Sequence, residues 1–222
     1  MSDRALIVFL RHPRPGEVKT RLLSALGGDL AAELYRVLAE AVLQATVPRA
    51  GEYERLVFFD PPEAAEALRV WLPGVRLLAQ SGEDLGARMT DAFERAFRRG
   101  ATRVVIVGTD APGVSRETVG EAFLALDEAD VVVGPAEDGG YYLLGLRAPR
   151  PELFDGIDWS TPSVLDQTRA RAAAAGLTLR ELQRLRDVDT LDDLRAEWPA
   201  VRTLLGGRPD LVAAVEDALR VR

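Results

Sequence analysis

Ala5-Leu6-Ile7-Val8-Phe9-Leu10, followed at once by Arg11-His12-Pro13-Arg14-Pro15-Gly16-Glu17-Val18-Lys19-Thr20-Arg21, is the stretch on which the fold turns. The unbroken apolar run is too short for a helix and rich in strand formers, as in a strand buried on both faces. Such a strand lies centrally in a sheet with helices on either side. The charged loop then leaves from its carboxyl end.

Downstream, Gly28 and Asp29 punctuate the chain. Leu30, Leu34, Val37, Leu38 and Ala41 then recur at helical spacing and predict an amphipathic helix to about Thr46. Residues 55–59, 75–79, 104–107 and 131–133 are predicted strands. Between them come helices opened by Pro62 to about Trp71, by Asp84 to about Arg99, and by Ser115 with Thr118 to near Leu126. This alternation implies right-handed crossovers and a doubly wound, mostly parallel sheet. Tyr141–Leu146 is reached through a Gly-Gly turn instead of a helix, which predicts a small antiparallel insertion. Beyond it a helix over 161–175, a strand over 177–182 and two short closing helices opened by Thr190 and Pro209 are expected. The expected fold class is therefore α/β in three layers. One domain is expected over 1–222, with a core of about 4–196 and a helical extension of about 197–222.

A net charge of -7 and a pI near 5.0 argue against nucleic acid partners, which need a basic face to release counterions. Zero Cys excludes a disulfide framework, a thiolate zinc site and a cysteine nucleophile. No basic leader with a long apolar run and no membrane-length apolar stretch is present, so a cytoplasmic protein without membrane insertion is expected. Homo-oligomer formation stays open. Among 28 Lys and Arg residues Lys19 is the one Lys, which suggests a task for a compact ammonium that a guanidinium cannot do.

Ligands in such sheets bind beyond the carboxyl ends of the strands, so the loops after Leu10, Val107 and Gly134 should converge. In the first loop four cations, Arg11, Arg14, Lys19 and Arg21, face one acid, Glu17, a local charge of +3. Pro13 and Gly16 shape the loop so that backbone amides can approach phosphate oxygens while Arg11, Lys19 and Arg21 neutralise them. Neither a P-loop nor G-x-G-x-x-G is present. His12, the one His, has no G-x-S-x-G partner motif and is read as a loop residue. Asp110, at the end of a buried strand, suits Mg²⁺ or Mn²⁺ bridging substrate phosphates, or else fixes the turn to Pro112. Glu137 and Asp138 could hydrogen-bond a sugar or act as a base, with Gly139, Gly140 and Tyr141 as substrate contacts; the rival reading is a hairpin turn. Thr190 with Asp193 forms a capping-box variant that also accounts for Asp192. Asp187 and Asp189 are left over, and Asp189 is the better second metal ligand. Trp159 could stack on an acceptor or sugar ring, or anchor packing.

F-x-R-x-P-x-P-G-x-V-K-T-R from Phe9, G-x-D-L-G from Gly82, G-T-D-A-P from Gly108, G-P-A-E-D-G-G-Y-Y from Gly134 and D-V-D-T-x-x-D-L from Asp187 follow one another in this order. Together they resemble the DUF2064 family of glycosyltransferase-like proteins, including those of arsenosugar biosynthesis, over about Leu6–Leu194. The resemblance implies a GT-A fold, Rossmann-like, with nucleotide on the first loop and a divalent metal near the motif aspartate. Those roles fall on Arg11, Gly16, Lys19, Arg21 and Asp110. The D-x-D pair typical of GT-A glycosyltransferases is absent, because Ala111 and Pro112 follow Asp110; a single Asp is also the pattern of nucleotidyltransferases, whose G-G-x-S-x-R-M-G loop is absent too. The expected activity is metal-dependent glycosyl transfer from a nucleotide sugar to a small acceptor, with Asp110, Glu137 and Asp138 as catalytic groups. The alternatives are nucleotidyl transfer from a nucleoside triphosphate to a phosphorylated small molecule, releasing pyrophosphate, and non-catalytic nucleotide binding.

Overall fold

The computed structural model describes residues 3–220; of the domain expected over 1–222, Met1, Ser2, Val221 and Arg222 lie outside the described residues. Seven strands form one sheet: β1 (Arg4–Arg11), β2 (Glu54–Asp60), β3 (Leu77–Ala79), β4 (Arg103–Val107), β5 (Val131–Pro135), β6 (Tyr141–Leu146) and β7 (Leu179–Glu181). Their order is β3-β2-β1-β4-β6-β5-β7. All neighbours are parallel except β6, which runs antiparallel to both β4 and β5. The α/β class and the antiparallel insertion are as expected, although β6 is wedged inside the sheet and not added at its edge.

β1 shows why an unbroken apolar run was required. Leu6, Val8 and Leu10 enter one buried cluster with α1 (Leu23–Ala45), α2 (Ala65–Trp71) and α4 (Arg116–Ala125). Ala5, Ile7 and Phe9 point the other way, into a cluster with α3 (Leu85–Arg98) and α5 (Val164–Ala174). Successive strand side chains face opposite sides, so a strand covered on both faces has no position left for a polar residue. A third cluster joins Leu22 and the outer stripe of α1, Leu34 and Leu38, to Val201, Leu205, Leu211 and Val215 of the closing helices.

The caps read in the sequence are present. Asp84 accepts from the amide of Ala87, Ser115 from that of Thr118, and Thr190 with Asp193 makes a reciprocal capping box. Three differences have local causes. α1 begins before Gly28 and bends at Gly27, whose φ of 75° interrupts the helix. Helix α5 starts at Val164, later than expected, because Thr161 precedes Pro162 and its hydroxyl bonds Asp158 O and Ser163 Oγ in a turn. Three closing helices form instead of two, α6 (Leu191–Ala196), α7 (Trp198–Leu204) and α8 (Pro209–Arg220). The extra break falls at Glu197 just ahead of Pro199, which has no amide to continue the α6 ladder. No helix among the described residues is long and apolar enough to cross a membrane.

Candidate active site

β1 and β4 are adjacent, so their carboxyl ends deliver Arg11 and Gly108–Asp110 side by side. Tyr35 of α1 ties the two ends together: its hydroxyl accepts from the Arg11 amide at 2.8 Å and shares a hydrogen bond with Thr109 Oγ1 at 2.9 Å. Burial, then the negative charge of Asp110, pushes the Tyr35 hydroxyl up to about 12, so it stays neutral. A third segment, residues 185–189, runs beside them. Leu185 donates to Pro135 O, Glu137 donates back to Leu185 O, and Val188 donates to Asp110 O at 3.0 Å. That last bond sets the two acidic motifs next to each other.

Lys19 closes the arrangement. Its ammonium donates to Asp110 Oδ1 and, at 2.9 Å, to Asp189 Oδ1, with the Tyr35 ring beneath it at 5.8 Å. The Lys19 side chain is only 2% exposed, whereas those of Asp110 and Asp189 are 42% and 38% exposed. Burial would depress the ammonium, but the two carboxylates more than offset it and raise the group above the usual lysine range. Asp187, two residues from Asp189, is pushed up to about 8 by burial first and then by Asp110, Asp189 and Asp138. Its Oδ1 is buried without a hydrogen-bond partner among the described residues.

The other predicted site residues separate into two groups. Arg21 is exposed on the one-turn 3-10 helix Thr20–Leu22, close to Lys19, and Gly16 takes φ 82° in the loop above. Glu137 and Asp138 form the exposed tip of a turn in which Asp138 Oδ1 accepts from the Gly140 amide. Gly139, at φ 91°, is required by packing: a Cβ there would lie 2.1 Å from Pro162 O. Tyr141 joins the α3–α5 cluster with its hydroxyl buried. Trp159 stacks on Phe154 and covers Gly86, where a Cβ would sit 2.8 Å from the indole. Pro13 and His12 line a separate groove of about 370 Å³ with Glu33, Arg36 and Trp71. His12 is held below its usual value by burial and by Arg14. Arg14 itself pairs with Glu17 and Glu63.

Two features escaped sequence reasoning. Tyr35 lies among apolar helix positions and carries no motif. Arg88 pairs with Asp60 at 3.1 Å, and Arg11 approaches the same carboxylate at 3.7 Å. The glycines of G-x-D-L-G hold this corner, since a Cβ on Gly82 would come within 2.5 Å of the Arg88 amide. An acid at the end of β2 and an Arg in the first turn of α3, after the G-x-D-L-G motif, were the available signal.

Hard carboxylate oxygens suit Mg²⁺ or Mn²⁺, which keep waters and share substrate phosphates. Asp110 and Asp189 already converge on one cationic centre, and the unpartnered oxygen of Asp187 lies in the same acidic cluster. Among the described residues no three His, Asp or Glu side chains form a complete ligand set, so a cation here would draw its remaining ligands from water or substrate.

A family model described as "Uncharacterized protein conserved in bacteria (DUF2064)" matches residues 42–161. A phosphoenolpyruvate guanylyltransferase of Chloroflexus aggregans is 32% identical over 193 residues, covering 82% of this chain and 93% of that protein. One from Sphaerobacter thermophilus is 31% identical over 187 residues, covering 82% and 86%. A crystal structure from Desulfovibrio desulfuricans G20, named as a nucleotide-diphospho-sugar transferase, is 35% identical and superposes with a TM-score of 0.87, covering 97% of this chain and 99% of that one. The relatives' names support transfer of a nucleotide, the alternative reading of the sequence, better than transfer of a sugar.

Proposed function

This chain belongs to the DUF2064 family, and from that premise we propose that it is a nucleotidyltransferase joining a nucleoside triphosphate to a phosphorylated small acid, with release of pyrophosphate. The observation that carries the reading is the meeting of Lys19, Asp110 and Asp189 at the carboxyl ends of β1 and β4, in a chain 32% identical to a phosphoenolpyruvate guanylyltransferase. By that likeness the substrates are GTP and phosphoenolpyruvate. The whole chain is read as one domain, with α7 and α8 as its helical extension.

In this reaction an oxygen of the acceptor phosphate attacks the α-phosphorus, the bond from that phosphorus to the bridging oxygen of the β-phosphate breaks, and pyrophosphate leaves. A phosphate monoester already carries ionised oxygens at neutral pH, so no general base is needed. Glu137 and Asp138, exposed at the turn tip, then orient the acceptor instead of deprotonating it. Lys19, Arg21 and Arg11 hold the phosphates through charge-assisted hydrogen bonds. Asp110 and Asp189 would hold Mg²⁺ or Mn²⁺. Such an ion neutralises charge building on the departing pyrophosphate.

A second reading, glycosyl transfer from a nucleotide sugar, is favoured by the name of the D. desulfuricans protein. The products separate the two. Incubation with GTP, phosphoenolpyruvate and Mg²⁺ should release pyrophosphate only when the acceptor is present, and Asp110→Asn should lower kcat/KM by roughly a hundredfold or more, as for loss of a preorganised charge contact. A nucleoside diphosphate formed from a nucleotide sugar, with no pyrophosphate from any triphosphate, would sink the proposal.

A further inference from the structure

We infer that Lys19 is the resident counter-ion of Asp110 and Asp189 and leaves them only for a divalent cation arriving with nucleotide, so that metal and nucleotide bind as one unit. This rests on the reading that the two aspartates hold the cation.

The geometry makes the ammonium and the metal mutually exclusive. Both carboxylates direct an oxygen at one Nζ, and that Nζ belongs to the buried partner while the carboxylates are open to water. A dication on the same oxygens would stand within a few ångströms of the ammonium, and the repulsion is costly where water screens poorly. Removing the ammonium without offering it another anion would leave a buried, unpaired charge against the Tyr35 ring. Free metal therefore meets an occupied site.

A triphosphate removes the conflict. Its oxygens are new partners for Lys19, while the metal replaces the ammonium between the aspartates. Every charge stays paired through the exchange. The backbone at Lys19 is suited to such a movement. It sits at φ 48° and ψ 43°, in the left-handed region that a non-glycine residue occupies when its surroundings hold it there. The side-chain grip on Asp110 and Asp189 spans 91 and 170 residues of sequence and helps hold it there, beside the Leu22 amide that donates to Lys19 O at 2.8 Å. When that grip is released, the loop from Gly16 to Lys19 can relax toward bound phosphate. The coupling is reciprocal, so metal must raise nucleotide affinity by the factor by which nucleotide raises metal affinity.

Because Lys19 is the one lysine, ¹³Cε-lysine labelling gives a single side-chain resonance in the native chain. Mg²⁺ alone should leave that resonance in place, and Mg²⁺ with GTP should move it. A shift produced by Mg²⁺ alone over the same concentrations would overturn the inference. Mn²⁺ binding in the absence of nucleotide, followed by the loss of the free-ion electron paramagnetic resonance signal, gives a second readout. Lys19→Met should bind Mn²⁺ about tenfold or more tightly than the native chain, within the usual range of coupling between sites. Lys19→Arg should stay weak. Equal or weaker Mn²⁺ binding by a folded Lys19→Met protein refutes the counter-ion role. If Lys19→Met binds tightly and adding Asp110→Asn leaves that binding unchanged, the assignment of the metal to Asp110 fails instead.

Discussion

Gly134→Ala tests how the acidic turn is held against the sheet. Gly134 is buried in β5, and a Cβ added there would lie 2.4, 2.7 and 2.8 Å from three ring atoms of Tyr142 on the neighbouring strand. The ring cannot step back, because Tyr142 is buried in the α1–α4 cluster and its hydroxyl donates to Gln183 O at 2.9 Å. Overpacking of this kind costs about 1–3 kcal/mol. Loss of the tyrosine hydrogen bond adds about 1 kcal/mol. The expected total is therefore roughly 2–4 kcal/mol, and at about 2–4 °C per kcal/mol for a chain of this length Tm should fall by roughly 5–15 °C. Calorimetry or a circular-dichroism melt reads it directly. In a double-mutant cycle with Tyr142→Leu, the two costs should sum to at least about 1 kcal/mol more than the cost of the double variant, because the second change removes the clash. A single variant melting within about 2 °C of the native chain, or strict additivity, would refute the packing argument.

Asp187 makes stability depend on pH in a stated direction. Its folded value, raised to about 8, means the native state keeps a proton that the unfolded chain gives up above roughly pH 4. Its stabilising share is thus complete below about pH 4 and is lost as pH rises toward and through 8. In chelator, Asp187→Asn should match the native Tm only at or below about pH 4 and exceed it by a growing margin up to about pH 8; a margin that does not change with pH would show that the carboxyl is already ionised. Gly139→Ala puts a methyl against Pro162 O at a positive φ, so substrate turnover and Tm should both drop, with the acceptor KM rising if the turn tip holds the acceptor. Unchanged kinetics would free the tip from that role. Thr190→Ala removes the capping box ahead of α6 and should cost about 1 kcal/mol in a denaturant melt; a change under about 0.3 kcal/mol would mean that Asp193 caps alone.

What could be read along the chain was whatever repeats or punctuates over a few residues. The apolar run of β1, the helical spacing of α1, the caps at Asp84, Ser115 and Thr190, and the Gly-Gly turn before β6 each act through neighbours in sequence. The α/β architecture followed from them. Asp110 was legible as a candidate because an acid at the end of a buried strand has few structural reasons to be there. Asp189 was legible only as an acid left over once the capping box had accounted for Asp192 and Asp193.

Tertiary structure decided which of these residues meet. Trp159 and Gly139 read as candidate ligand contacts in one dimension; the fold adds that they pack on Gly86 and Pro162, partners distant in sequence. The placing of β6 between β4 and β5 set residues 185–189 beside Asp110, and only then could a lysine of the first loop reach two aspartates at once. Local pattern reports burial and period, which are properties of a single element. Which charges become neighbours depends on strand order and crossovers, and those are set by how all the apolar faces are covered together.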